Sequence, residues 1–437
     1  MKILLTLIAL TLLFATCKKD STSVQPTAQV LPILTTLVDT SSITRSTAKV
    51  GGNIASDGGA TVSVRGVCYN TNPNPTKENN TIISGSGTDI FSCDLINLTY
   101  STKYYVRAYA TNSKGTAYGN EISFTSHAIT TATLKTNATV TSTTISRAIV
   151  NGEVLDDGGS PVTARGICWG TLQIPTISDN KTIEGSGVGS FNSALNNLTS
   201  NTTFYLRAFA TNNIGTSYGE VITIVTDVEG NIYNTIKIGA QIWMVENLKV
   251  TKFNNGANIP NGIAQSVWLY ISAPPSPLYC WYNNDINNKN IYGALYNWLA
   301  VNSGLLSPPG WHIPSNEDFR LLIHFLDPNT FDTSVTLFGI PYINFSSNIA
   351  GKKLAEKGSV HWEVANGTNE SGFTALPGGW RNEGNPDFTG LKNGGIWWSS
   401  SNVQENNSNC LRLTEGSLVN NFPDGLRQGF SVRCVKN

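Results

Sequence analysis

Apolar and polar residues alternate in short runs along the first half of the chain. In VSVRGVCYN, Val62, Val64 and Cys68 fall on one side and Arg65 and Tyr69 on the other. KYYVRAYATN places Tyr104, Val106 and Ala108 inward and Tyr105, Arg107 and Tyr109 outward. Successive side chains of a strand point to opposite faces, so this period of two predicts strands with one buried face. Clusters of Asn, Gly, Ser and Asp separate the runs as turns. About seven such strands in roughly 95 residues predict a β-sandwich.

The pattern then repeats. RGVCYN at Arg65 returns as RGICWG at Arg165, and GSGTDIFSCDL at Gly85 returns as GSGVGSFNSAL at Gly185. YYVRAYATNSKGTAYGN at Tyr104 returns as FYLRAFATNNIGTSYGE at Phe204. The offset is 100 residues each time (165 − 65, 185 − 85, 204 − 104). A constant offset without gaps marks a tandem duplication of one domain. Cys68 and Cys168 occupy equivalent positions and read as buried core thiols. The outward row Tyr105, Arg107 and Tyr109 reads as a solvated sheet face or as a partner surface.

Beyond Asp227 the pattern changes, and nine of the ten tryptophans lie there. Ile232, Ile236, Ile238 and Ile242 predict a short hairpin. Leu295, Trp298 and Leu299 stand at helical spacing within Tyr292–Val301. A stronger helix follows GWHIP: Ser315 caps it, Asp318 completes an S-x-x-D capping box, and Phe319, Leu322, Ile323 and Leu326 form its apolar stripe. In GGIWWSSSN, Trp397 and Trp398 are adjacent, so on a strand they face opposite ways. Trp398 is expected in the core; Trp397 is expected either in a second core layer or against a ligand.

Charge narrows the function. The formal net charge is +0 and charged residues make up 13%, against about 25% in ordinary soluble domains. Nucleic-acid binders gain affinity by releasing counterions from a basic patch, and no such patch is present, so nucleic acid is not an expected partner. The first residues, MKILLTLIALTLLFATC, have one lysine before an apolar run that is short for a bilayer span, the plan of an export signal. The seven cysteines are too sparse for a disulfide scaffold and contain no C-x-x-C, so no structural zinc site is expected.

Three resemblances follow from these motifs. The N-terminus resembles a bacterial lipoprotein signal, which implies lipidation at Cys17, although Phe14 and Thr16 stand where other residues are usual. LTYSTKYYVRAYATNSKGTAYG and its second copy resemble the fibronectin type III pattern, whose tyrosine corner falls on Tyr104 but on Phe204 in the repeat. The ordered motifs GNIYNTIKIGAQIWMVENLK, YGALYNWLAV, PPGWHIPSNEDF, SGFTALPGGWR, WWSSS and GFSVRCVK resemble the Fibrobacter succinogenes major paralogous (FISUMP) domain. That resemblance implies a C-type-lectin-like fold related to the formylglycine-generating enzymes. Many members carry a cysteine before the proline of their PxGWH motif, where this chain has Ser307. Cys410 and Cys434, expected on neighbouring strands, are the replacement disulfide pair.

Enzyme chemistry is poorly supported. His312 reads as a residue locking the turn before the helix, His324 as helix packing, and His361 has no carboxylate or cysteine partner apparent in sequence. Asn283, Asp285 and Asn287 alternate as oxygen donors, but a single carboxylate without a glycine bend argues for a solvated loop. No metal and no cofactor is expected. Binding remains: aromatic faces beside Asn, Ser and Arg suit a sugar or peptide. The candidate ligand residues are Trp397, Asn402, Gln404, Asn409, Arg412 and Asn420, in the region where retroelement-diversified relatives of the fold place their variable contacts.

The expected organisation is a signal peptide over 1–17, a flexible tether over 18–29, and two fibronectin type III-like sandwiches over 30–126 and 127–226. A mixed α+β C-type-lectin-like domain follows over 227–437. The expected function is a non-enzymatic, lipid-anchored, surface-exposed outer-membrane protein of the cell envelope that captures an extracellular polysaccharide or protein ligand. Alternatives are an accessory enzyme of polysaccharide breakdown or a purely structural envelope component.

Overall fold

The computed structural model describes residues 28–268, 276–337, 340–383, 387–404 and 407–437. Cys17 and the export signal lie outside the described residues. The chain forms two compact units, Met1–Ile129 and Thr130–Asn437.

In the first unit, Ile33–Asp39, Ala48–Ser56 and Phe91–Leu95 make one antiparallel sheet. Asn80–Ile83, Val64–Asn70 and Lys103–Asn112 make the other, with Gly115–Tyr118 and Ile122–Thr125 both paired to Lys103–Asn112. Leu95, Val106 and Ala108 are fully buried in the core, as alternation predicts for Lys103–Asn112. In Val64–Asn70 the phase is the reverse of the one expected: Val67 and Tyr69 pack in the core, while Val64 and Cys68, expected inward, lie outside it, Cys68 buried against the Pro75 and Arg107 carbonyls. Tyr109 departs from the pattern. It was expected outward, yet it is only 4% exposed, lying opposite Gly66, which has no side chain to compete for the space. Tyr104 is buried and its hydroxyl accepts from the Thr99 backbone N–H at 2.9 Å, the corner bond implied by the fibronectin resemblance.

The second repeat has the same two sheets. Its corner residue, Phe204, is equally buried but has no hydroxyl to offer. What it gains lies on the other edge of its last strand. Ile222–Thr226 pairs with Ile232–Ile238, in register Ile224 to Asn234, Val225 to Tyr233 and Thr226 to Ile232. That strand pairs with Gln241–Met244, which pairs with Val435–Lys436 and through it with Trp311–His312. One sheet therefore runs from the second repeat into the C-terminal domain without a break at Asp227. Asp227 itself is buried, and its carboxylate accepts four hydrogen bonds, from the backbone of Glu229 and Asn231 and the side chains of Asn231 and Tyr233.

The C-terminal domain adds a six-stranded sheet in the order Ser346–Ser347, Leu418–Gly425, Asn407–Thr414, Gly394–Gln404, Gly378–Arg381, Phe388–Leu391. The long helix Asn316–Leu326 begins at the expected capping box and buries Phe319, Leu322, Ile323 and Leu326. His312 Nε2 lies 3.2 Å from Asp318 Oδ2, so the histidine locks this turn as read from sequence. The helix expected over Tyr292–Val301 is broken instead. Gly293 turns the chain at φ +79, Leu295–Tyr296 pairs as a strand with Tyr279–Cys280, and Asn297 caps the single turn Trp298–Val301. Among the described residues, no helix is long and apolar enough to cross a membrane.

The strand Gly394–Gln404 is covered on both faces. Trp398 packs with Ile396, Trp298, Cys410 and Phe430 in one cluster. Trp397 packs with Trp243, Phe373, Leu411 and Leu413 in a second. Each indole N–H is satisfied, Trp398 by the Tyr296 carbonyl at 2.7 Å and Trp397 by Asn247 Oδ1 at 2.8 Å. Trp397 is 1% exposed. It is the second core layer, and the ligand role considered for it is excluded by burial.

Candidate ligand-binding face

Strand register determines which side chains stand together. Across the three central strands, Trp398, Cys410 and Phe422 form one rung, Ile396, Arg412 and Asn420 the next, and Gly394, Thr414 and Leu418 the third. All point to the same face, because each rung is two residues from the last. The first rung is buried at Trp398 and Cys410. Toward Arg412 and Asn420 the face opens, and Arg412, Asn420, Phe422 and Asp424 are all half-buried.

Arg412 lies with its guanidinium carbon 4.7 Å from the centre of the Phe422 ring, a cation–π distance. Its Nε is buried without a hydrogen-bond partner among the described residues, and so is Oδ1 of Asn420 beside it. A buried polar group left unpaired costs about 1–3 kcal/mol, which marks such groups as places a ligand or water would satisfy. Asp424 continues the strip. Burial pushes its carboxyl up, against hydrogen bonds from the Gly425 N–H at 2.7 Å and Gln428 Nε2 at 3.2 Å. At the other end stands the half-buried indole of Trp380, packed where a side chain on Gly394 would be. A donor and an acceptor thus sit between Phe422 and Trp380, the combination that takes a sugar ring by its face and its hydroxyls.

Residues 236–436 match the family model of the Fibrobacter succinogenes major domain. The candidate face lies within the matched residues. No curated protein matches the chain. Two similar solved structures have different extents. One, described as "Myokine structure", is 18% identical over 23% of this chain and 99% of its own, with a TM-score of 0.18. The other, the crystal structure of chicken CNTN1 FN1-FN3 domains, is 18% identical over 46% of this chain and 68% of its own, with a TM-score of 0.20.

Within the matched residues the remaining candidates separate. Asn409 is one residue out of phase with Arg412, and it is buried at 4% exposure with Oδ1 unpartnered. It does not join the Arg412 face. The strand Gly394–Gln404 carries Asn402 and Gln404, paired with Ser408 and Asn407, but their side chains lie outside the described residues. Sequence reasoning missed Trp380, Phe422, Asp424 and Gln428. The alternation Asn420–Phe422–Asp424 was a signal for two of them; Trp380 arrives from a distant strand and had none.

The Cys410–Cys434 bridge is not formed; both are buried free thiols. Cys410 sits opposite Trp398, while the Trp398 N–H bonds the Ser431 carbonyl of the chain segment leading to Cys434. The tryptophan strand therefore lies between the two cysteines. Cys410 Sγ instead donates to the Phe422 carbonyl at 3.1 Å. In the repeats Cys68 is a buried thiol, pushed up to about 11 by burial, and Cys168 is raised for the same reason.

His361, expected without a partner, has one: Nδ1 lies 2.9 Å from both carboxylate oxygens of Glu356. Asn283, Asp285 and Asn287 are exposed, and Asp285 spends a carboxylate oxygen on the Asn287 N–H. Among the described residues no group of three acidic, histidine or cysteine side chains is placed to hold a metal.

Proposed function

We propose that the protein is a lipid-anchored component of the cell envelope whose C-terminal domain, of C-type-lectin-like fold, captures an extracellular polysaccharide on the Arg412–Asn420 face. The observation that carries this reading is the adjacent unpaired Arg412 Nε and Asn420 Oδ1 beside Phe422, with Trp380 along the same face. A sugar hydroxyl both donates and accepts, so one hydroxyl answers both groups, while aromatic rings take the apolar ring face. Acylation of Cys17 would tether the chain, since several acyl chains on one residue hold a membrane stably.

Glycan-array binding by the full chain tests the reading. Arg412→Ala and Asn420→Ala are expected to weaken the retained glycan about tenfold each, the scale of one hydrogen bond to a charged group. Cys17→Ser is expected to move the protein from the membrane to the soluble fraction without changing glycan binding. Array signals that survive both face substitutions would sink the proposal.

A further inference from the structure

A second candidate site shares no residue with the Arg412 face. The hairpin turn at Gly239, the last turn of the long helix and the short helix Asn348–Leu354 enclose a hollow of about 270 Å³. That is just under the range of about 300–1,000 Å³ typical of ligand pockets, so it suits a ligand of one ring. Its apolar floor includes the buried Ile238 and Leu326.

Phe325 stands on its wall. The apolar stripe of the helix is complete without it, and Phe325 is 59% exposed. Leaving such a ring in water forgoes about 1.5–3 kcal/mol of burial that a folding role would have used. Its position is also prepared. Gly239 has φ +60, and a Cβ there would lie 2.8 Å from the Phe325 ring. Glycine lets the turn pass under the ring, which then contributes to the hollow.

The charged lining is largely unspent. Lys237 and Glu370 are exposed and have no hydrogen-bond or ion-pair partner among the described residues. Lys353 donates one hydrogen bond, to the Leu326 carbonyl at 2.8 Å, and an ammonium has three to give. Two ammonium groups against one carboxylate favour an anion. An aromatic wall favours a ring with an apolar face. A carboxylate acceptor favours hydroxyl donors.

We propose that this hollow binds a hexuronate residue, its carboxylate on Lys237 and Lys353, a hydroxyl on Glu370 and its C–H face on Phe325. The site extends the polysaccharide reading to acidic glycans but stands on different residues, so either can fail alone.

Saturation-transfer NMR and calorimetry on the full chain, with methyl glucuronide and methyl glucoside as probes, test it. Glucuronide is expected to bind, with glucoside at least about tenfold weaker and glucuronide affinity falling as salt rises. Lys237→Met and Phe325→Ala are each expected to cost about tenfold, while Arg412→Ala leaves glucuronide binding unchanged. Both altered side chains are exposed, and circular dichroism checks that the fold is kept. Equal binding of the two sugars, no binding of either, or binding lost in Arg412→Ala but kept in Lys237→Met would overturn the proposal.

Discussion

Two neighbouring tryptophans on one strand have different neighbours and similar importance. Trp397 and Trp398 are both almost fully buried, in separate clusters on opposite faces, each with its N–H bonded. Truncating either leaves a cavity, so Trp397→Ala is expected to destabilise the domain by about 3–5 kcal/mol. Denaturant unfolding measures this. Arg412→Ala, by contrast, removes a group that is already partly unpaired and is expected to change stability by less than about 1 kcal/mol while weakening the ligand. A Trp397 variant that kept its stability but lost glycan would return that residue to the binding surface.

At the scale of elements, the start of the long helix is closed by a reciprocal cap. Ser315 Oγ and N–H both donate to Asp318 Oδ2, at 2.6 and 2.9 Å, and Asp318 N–H returns a bond to Ser315 Oγ at 3.1 Å. Burial pushes the Asp318 carboxyl up, but these bonds and His312 outweigh it and hold it below its ordinary value. A folded-state value below the unfolded one means stability present at neutral pH and lost as pH falls through about 4 and lower. Asp318→Asn is expected to remove that part of the acid sensitivity and to cost about 1 kcal/mol at pH 7. Unfolding curves at neutral and acid pH check both the sign and the size. The cap was readable in sequence because all its partners lie within three residues. The helix expected over Tyr292–Val301 failed for the converse reason: Leu295 and Tyr296 found a strand partner at Tyr279–Cys280 that local spacing does not reveal.

At the scale of the molecule, the two repeats are alike in sequence and unlike in dependence. The first keeps its tyrosine corner. The second lacks the hydroxyl and instead pairs its last strand with Ile232–Ile238. The junction is tied further: Asn234 accepts from the Val140 N–H at 2.7 Å and donates to its carbonyl at 3.0 Å, while Trp311 Nε1 donates to Thr203 Oγ1 at 3.0 Å. Residues 28–129 are therefore expected to fold alone, whereas 130–226 expressed alone should unfold at markedly lower denaturant than within 130–437. Separate unfolding of the three pieces decides it, and a repeat of undiminished stability over 130–226 would contradict the coupling. The His361–Glu356 contact was missed at shorter range, because it depends on how the chain turns after the short helix.

Alternation, the repeat offset and the helix cap were enough to predict the sandwiches and the long helix, though not the core face of Val64–Asn70. These follow from side-chain periodicity and from bonds between near neighbours, which the order of residues contains in full. The fate of Trp397, the open thiols of Cys410 and Cys434 and the grouping of Arg412 with Asn420, Phe422 and Trp380 were not contained there. They depend on which strand lies beside which and in what register. A register shift of one residue exchanges the faces of a strand, so the same residues would have served a core or a surface according to pairings made across the whole domain.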